Sequence, residues 1–128
     1  MRTGKEYLES VKKKKPVVYH LGKRIDNLLE HSVLKYDINV NARAHDLSLE
    51  KECEDVLTAP SPLTGERVNR YLNVFGSRED LTLRQKQARL LLHRTGSCTM
   101  KCPGLGGVNA IYSTTYDMDK KLGTSYHQ

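Results

Sequence analysis

The chain has 128 residues, of which 38% are apolar and none is tryptophan, and its net charge is +6 at pH 7. That length allows one domain with a modest core, and the lack of a long apolar run argues against a membrane protein. The basic residues are interleaved with acids and lack an aromatic pattern, so we expect no nucleic-acid partner. A basic surface would also suit an anionic coenzyme such as coenzyme A.

The first elements are a helix and a short hairpin. Thr3 followed by Glu6 forms the pattern of a capping box, which predicts a helix running to about Lys14. The β-branched and aromatic residues after Pro16, with Gly22 as the turn, predict a hairpin. We therefore expect the fold to be mainly α with one short β-hairpin.

The middle of the chain has weaker sequence signals of secondary structure. Residues 26–35 and 42–57 have apolar side chains at helical spacing, which predicts two helices. Residues 59–65, with two prolines and a glycine, predict an ordered turn region.

The second half predicts two longer helices. A polar N-cap at Ser77 with acids in the first turn indicates a helix that stops near Gly96. The glycine-rich residues 103–107 predict a break before a final helix over 108–122. The expected core positions are Leu81, Ala88, Leu91 and Leu92 in the first helix, and Ile111, Tyr112, Thr115, Met118 and Leu122 in the second. The glycines lack the spacing of a nucleotide-binding loop, so we interpret them as a tight turn.

Cys98 and Cys102 lie at the junction of these two helices. Residues four apart on one helical turn face the same way, so two thiolates at this spacing can bind one metal ion or cluster. They supply only two ligands where a closed site needs four, and a pair of buried thiols without a metal is the alternative.

The other candidate ligands are less favourable. Cys53 is flanked by carboxylates, which raise a thiol pKa, so we do not expect it to bind the metal. His93 could add a nitrogen ligand, but a basic residue at a helix C-terminus commonly interacts with the helix dipole instead. The odd cysteine count favours a reducing, cytoplasmic setting over a structural disulfide.

Three blocks of sequence, residues 1–10, 61–70 and 77–81, resemble the N-terminal domain of the 4-hydroxyphenylacetate 3-hydroxylase family. The Ser-Cys-x3-Cys motif at 97–102, with residues 109–116 and 123–127, is similar to the 4-hydroxybutyryl-CoA dehydratase branch of that family. The resemblance extends over essentially the whole chain.

The resemblance implies a homotetramer with an acyl-CoA dehydrogenase-like architecture. Residues 1–128 would form its N-terminal helical domain, and a middle β-domain and a C-terminal helical domain would lie outside this chain. The implied cofactors are FAD and a [4Fe–4S] cluster, with Cys98 and Cys102 as two cluster ligands and with a histidine and a cysteine of the middle domain as the others.

The implied reaction is the dehydration of 4-hydroxybutyryl-CoA to crotonyl-CoA, with isomerisation of vinylacetyl-CoA in many members. This is hydro-lyase chemistry in which the flavin transfers one electron and the cluster serves as a Lewis acid. Arg89 matches an arginine of the family pattern, which could orient the flavin or an acyl carbonyl; a surface charge is the alternative. Met100 departs from the glutamine expected between the cysteines, so a polar role at that position is in doubt.

Two other functions remain open. An FADH2-dependent aromatic monooxygenase would share the fold but would have no need of the cysteine pair. An inactive truncated piece, or a small metal-binding module, would explain a chain of this length with only two apparent ligands.

Overall fold

The computed structural model of the chain, which describes residues 1–99 and 101–127, is mainly helical. In order, the elements are α1 (Gly4–Lys14), β1 (Val18–His20), β2 (Lys23–Ile25), α2 (Leu34–Leu47), α3 (Glu54–Leu57), β3 (Thr58–Pro60), β4 (Arg67–Asn69), a 3₁₀ turn (Arg70–Leu72), α4 (Arg78–Thr95) and α5 (Cys102–Leu122). The predicted class is confirmed, and a second hairpin accompanies the expected one. No helix within the described ranges is long and apolar enough to cross a membrane.

Helix α1 has the predicted limits and the predicted cap. The Thr3 hydroxyl accepts a hydrogen bond from the Glu6 backbone N–H at 3.2 Å, and the Glu6 carboxylate accepts one from the Thr3 backbone N–H at 2.7 Å. These bonds satisfy two donors that the first turn of a helix would otherwise leave without partners. The expected hairpin follows, with Tyr19 opposite Arg24 in an antiparallel register.

Helices α1 and α2 approach each other closely at Gly4. This residue is buried, and its backbone N–H donates a hydrogen bond to the Asp46 carboxylate at 2.7 Å. A Cβ atom at this position would lie 2.5 Å from the carbonyl oxygen of Ala42 and 2.6 Å from Asp46 Oδ2. The packing of the two helices therefore requires glycine at position 4.

We expect Gly4→Ala to destabilise the protein by about 1–3 kcal/mol, because the clash is with a backbone carbonyl that cannot rotate away. Gly107→Ala is the matched control, since a Cβ atom there meets nothing within 4 Å and lies inside helix α5. Alanine should stabilise that helix by about 0.5–1 kcal/mol. Urea unfolding of the two variants measures both effects, and equal stabilities would contradict the close approach at Gly4.

The prediction of two helices between residues 26 and 57 is partly wrong. Residues 26–33 form turns in which the side chains of Asn27 and His31 accept hydrogen bonds from nearby backbone N–H groups. Such local bonds compete with helix formation, so α2 begins only at Leu34. It ends at Leu47, and turns separate it from the four-residue helix α3.

The predicted turn region is confirmed, but strands flank it. Strands β3 and β4 form an antiparallel hairpin with Ala59 opposite Val68. Between the strands, the backbone N–H of Ser61 donates to the carbonyl of Glu66 at 2.8 Å, and Gly65 adopts a positive φ of 71°. The strands are only three residues long, too short for the alternation on which a sequence-based assignment depends.

One cluster of buried residues forms the core. It joins α2, α3, the 3₁₀ turn, α4 and the start of α5, and its members are Ala44, Leu47, Cys53, Leu57, Tyr71, Leu91 and Leu105. Arg70 is also buried, and its guanidinium donates to the backbone carbonyls of Asp55, Val56 and Thr58.

Helix α4 begins and ends as predicted, but its predicted apolar face is partly wrong. Ser77 and Asp80 form a capping box, and Gly96 ends the helix with a left-handed φ of 70°. Leu91 is 2% exposed, whereas Leu81 and Leu92 are 51% and 52% exposed. The buried side of the helix instead pairs Leu91 with Gln87, one turn earlier.

The predicted break at residues 103–107 is wrong, because α5 begins at Cys102 and continues through the glycines. Pro103 lies in the first turn, where a missing N–H does no harm. Leu105 is 3% exposed in the core, which anchors this end of the helix. The predicted core face is only partly correct: Tyr112, Thr115 and Met118 are half-buried, whereas Ile111 and Leu122 are 66% and 68% exposed.

Candidate functional site

The segment between α4 and α5, residues 97–101, carries Cys98 and leads directly to Cys102; it is called the cysteine loop. The Cys98 side chain is exposed, whereas Thr99 next to it is 5% exposed. Cys102 is the first residue of α5. Its side chain and Met100 lie outside the described part of the chain, so the convergence of the two sulfur atoms stays a prediction.

The cysteine loop is attached to the core through Tyr71. The Thr99 hydroxyl donates a hydrogen bond to the Tyr71 hydroxyl at 3.0 Å. The Lys101 ammonium lies 5.4 Å from the centroid of the Tyr71 ring, a cation–π distance. Burial lowers the pKa of Lys101, and the nearby Arg2 lowers it further.

A cleft of about 560 Å³ lies beside the cysteine loop, between α1, α2 and the segment that leads from β4 into the 3₁₀ turn. Its walls include aromatic and cationic side chains, among them Arg2, Tyr7, His45, Tyr71 and Lys101. Arg2 lies over the Tyr7 ring, 5.1 Å from its centroid. A cleft lined by aromatic and cationic side chains is the kind of site in which a substrate or another part of the protein binds.

His45 is neutral at physiological pH. Burial lowers its pKa to about 4, and the positive charges of Lys101 and Arg2 add to this effect, while Asp46 opposes it. The imidazole packs against the Tyr7 ring at a centroid distance of 5.2 Å. It can therefore offer a hydrogen bond in the cleft without adding a positive charge to those of Arg2, Arg67 and Lys101.

This lowered pKa predicts a pH dependence of stability. Between about pH 6.5 and pH 4 the unfolded chain protonates His45 while the folded chain does not, so stability falls as the pH falls through that window. Urea unfolding at pH 7.5 and pH 5 should show a smaller loss for His45→Gln than for the wild type. Equal losses in the two proteins would show that His45 titrates normally in the fold.

The other residues considered from the sequence lie apart from the cysteine loop. Cys53 is 1% exposed in the core. His93 and Arg89 are exposed on α4. Within residues 1–99 and 101–127, no three His, Cys, Asp or Glu side chains are grouped to hold a metal ion.

Cys98 offers an exposed thiol four residues before Cys102, the residue that opens α5. Cysteine thiolates are ligands of the type that iron–sulfur clusters bind, so these residue types suit one part of such a site. A closed site needs further ligands from elsewhere in the protein.

The two segments that carry the branch resemblance meet at the end of α5. The Asp119 carboxylate accepts hydrogen bonds from the Thr124 hydroxyl and from the backbone N–H groups of Tyr126 and His127, at 2.7–2.9 Å. The His127 ring packs on the Tyr112 ring at 4.4 Å. Residues 123–127 thus fold back onto the helix.

Sequence reasoning missed Tyr71, Thr99 and His45. Thr99 contacts Tyr71 across 28 residues of sequence, and no local spacing predicts such a pair. The only available signal was the position of Thr99 directly after a cysteine.

Two known dehydratases are similar to this chain, one in sequence and one in structure. The chain is 37% identical over 128 residues to the 4-hydroxybutyryl-CoA dehydratase/vinylacetyl-CoA-Δ-isomerase of Clostridium aminobutyricum, and it covers 26% of that protein. It superimposes on an oxygen-tolerant archaeal 4-hydroxybutyryl-CoA dehydratase from N. maritimus with a TM-score of 0.89 and 37% identity, over 98% of this chain and 25% of that one.

More distant structures belong to a different enzyme. The oxygenase component of 4-hydroxyphenylacetate 3-monooxygenase, in complex with FAD, matches with a TM-score of 0.61 and 26% identity, over 73% of this chain and 19% of that one. The chain thus spans about a quarter of the length of the dehydratases that it matches.

A sequence profile decides the family. The profile described as 4-hydroxyphenylacetate 3-hydroxylase N terminal matches residues 3–128. The capped helices, the turn region and the cysteine loop all lie within that match. The chain therefore belongs to the 4-hydroxyphenylacetate 3-hydroxylase family and forms its N-terminal part.

Proposed function

We propose that the full-length protein is a hydro-lyase that dehydrates 4-hydroxybutyryl-CoA to crotonyl-CoA and isomerises vinylacetyl-CoA. The observation that carries this proposal is the 37% identity to a dehydratase of that name over the whole chain. The cysteine loop supports it, because an exposed thiol at the junction of two helices suits a metal ligand.

Cys98 and Cys102 would hold one side of a [4Fe–4S] cluster, and the remaining ligands would come from a domain outside this chain. When bound, the cluster supplies Lewis-acid chemistry for the departing hydroxyl group. The residues described here would fix the position of the two thiolates and form the adjoining cleft wall with His45 and Tyr71.

The proposal extends to the rest of the protein. The FAD-bound oxygenase structures support FAD as the second cofactor. Arg89, which is exposed on α4, would contact the flavin or an acyl group held by another domain. We propose residues 1–128 as the N-terminal helical domain of an acyl-CoA dehydrogenase-like fold. The full-length protein would be a cytoplasmic homotetramer.

A flavin-dependent aromatic monooxygenase is the second candidate. The similarity to the FAD-bound oxygenases favours it, although the overlap covers 73% of the chain compared with 98% for the archaeal dehydratase. The two functions differ in their need for iron.

The test is the iron, sulfide, zinc and flavin content of the full-length protein, purified without oxygen. Iron and sulfide together with FAD, followed by turnover of 4-hydroxybutyryl-CoA, would support the dehydratase. Flavin without iron would favour the monooxygenase, and zinc alone would contradict both. Turnover by residues 1–128 in isolation would contradict the proposed division of the site between domains.

A further inference from the structure

A buried hydrogen bond attaches the cysteine loop to the core, because the Thr99 hydroxyl donates to the Tyr71 hydroxyl at 3.0 Å. We propose that Tyr71 and Thr99 are positioning residues, which fix the loop so that Cys98 and Cys102 present their thiolates in the geometry that the metal site requires. This inference rests on the proposed function and extends it to residues that do not themselves bind the metal.

Tyr71 is a rigid attachment point. It lies in the 3₁₀ turn and is 8% exposed, in the same buried cluster as Leu91 and Leu105. Its backbone N–H donates to the Asn69 side-chain oxygen at 3.1 Å. The ring of Tyr71 is thus packed in the core and its backbone is hydrogen-bonded, both through contacts outside the cysteine loop.

The two ends of the loop are fixed independently of Tyr71. Helix α4 stops at Gly96, whose N–H donates to the Leu92 carbonyl at 2.9 Å. At the start of α5, the Asn109 side chain accepts from the Phe75 backbone N–H at 2.7 Å and donates to the Leu105 carbonyl at 3.0 Å. The conformational freedom that remains lies in the few residues between the helices.

Within that short segment, one residue beside each cysteine contacts Tyr71, while Ser97, on the other side of Cys98, donates its backbone N–H to the Thr95 hydroxyl at 3.4 Å. Thr99, which follows Cys98, donates its hydroxyl hydrogen bond to Tyr71, and Lys101, which precedes Cys102, lies over the Tyr71 ring. Residues flanking each thiol are thus attached to the same side chain. A loop ordered in advance binds its metal without a further loss of conformational entropy.

The test uses Tyr71→Phe and Thr99→Val in the full-length protein, purified without oxygen. Each change removes one hydroxyl group and keeps the shape, so FAD content should stay as in the wild type and stability should fall by only about 1 kcal/mol. We expect iron to be lost to a chelator about 10-fold faster or more, since partners of metal ligands have effects of that size. The EPR line shape of the reduced cluster should change, and amides 97–101 should exchange hydrogen faster.

The matched controls remove a hydroxyl group from one tyrosine and one threonine outside the cysteine loop. Tyr36 is 63% exposed and carries Lys35 over its ring at 5.2 Å, so Tyr36→Phe repeats the chemical change away from the loop. Thr114→Val does the same for an exposed threonine of α5. Both controls should release iron at the wild-type rate.

Wild-type iron release and an unchanged EPR line shape in both loop variants would overturn the inference, even if hydrogen exchange became faster. A wild-type protein without iron would instead defeat the proposed function. In that case the alkylation rate of Cys98 tests the positioning role. A faster rate in Tyr71→Phe than in the wild type supports that role, and an unchanged rate overturns it.

Discussion

Cys98→Ala in the full-length protein is expected to remove most of the bound iron and to reduce dehydration of 4-hydroxybutyryl-CoA at least about 100-fold. The side chain is exposed at the junction of α4 and α5, so its removal leaves no cavity in the core. A lost thiolate deprives the cluster of a ligand outright, which is more severe than a change in a neighbour of a ligand. Iron analysis and the visible absorption of the anaerobically purified variant measure the effect.

Cys53→Ala is the control for this prediction. Cys53 is 1% exposed among the core residues Leu57 and Leu91, where a thiol packs as a small apolar group. The variant should lose some stability and keep its iron. Retention of full iron by Cys98→Ala, with FAD also bound, would refute the assignment of Cys98 as a ligand.

Arg70→Met should be the most destabilising change predicted from the fold, by about 3–5 kcal/mol. Arg70 is 4% exposed, and its guanidinium donates to the carbonyl oxygens of Val56 and Asp55 at 2.8 and 2.9 Å, and also to that of Thr58. Methionine fills the space but removes the hydrogen bonds that Arg70 donates to these carbonyls. Hydrogen exchange of amides 54–59 in the full-length protein should become roughly 100-fold faster or more.

Arg67→Met provides the comparison, three residues earlier in the chain. Arg67 is exposed and forms an ion pair with Glu54 at the surface. Such pairs contribute about 0–1 kcal/mol, so exchange near residue 54 should change little. Similar effects of the two substitutions would show that the carbonyls bound by Arg70 find other donors.

Local signals in the sequence determined the ends of the principal helices. Thr3 with Glu6 and Ser77 with Asp80 act within one turn of the backbone, so their hydrogen bonds depend on nearby residues alone. The same holds for Gly96, which ends α4 by adopting a conformation that other residues avoid. These features were predictable because nothing distant in the chain competes with them.

Burial was less predictable, and the errors have a common cause. Residues 103–107 were expected to break the chain, yet Leu105 is in the core and holds the first turn of α5 in helical form despite the glycines. Ile111 and Leu122 have the spacing of core residues but remain exposed within this chain. Helical spacing identifies an apolar face, whereas tertiary contacts decide whether that face is covered.

The candidate site likewise has some features that the sequence predicts and others that depend on tertiary contacts. The sequence by itself determined the cysteine pair, its place between two helices and the family resemblance, because these depend on residue identity and short spacing. Only the tertiary structure decided that Thr99 binds Tyr71, that Lys101 lies beside His45 in one cleft, and that Cys53 is buried away from the loop. Such contacts join residues far apart in the chain, and packing of the whole domain determines them.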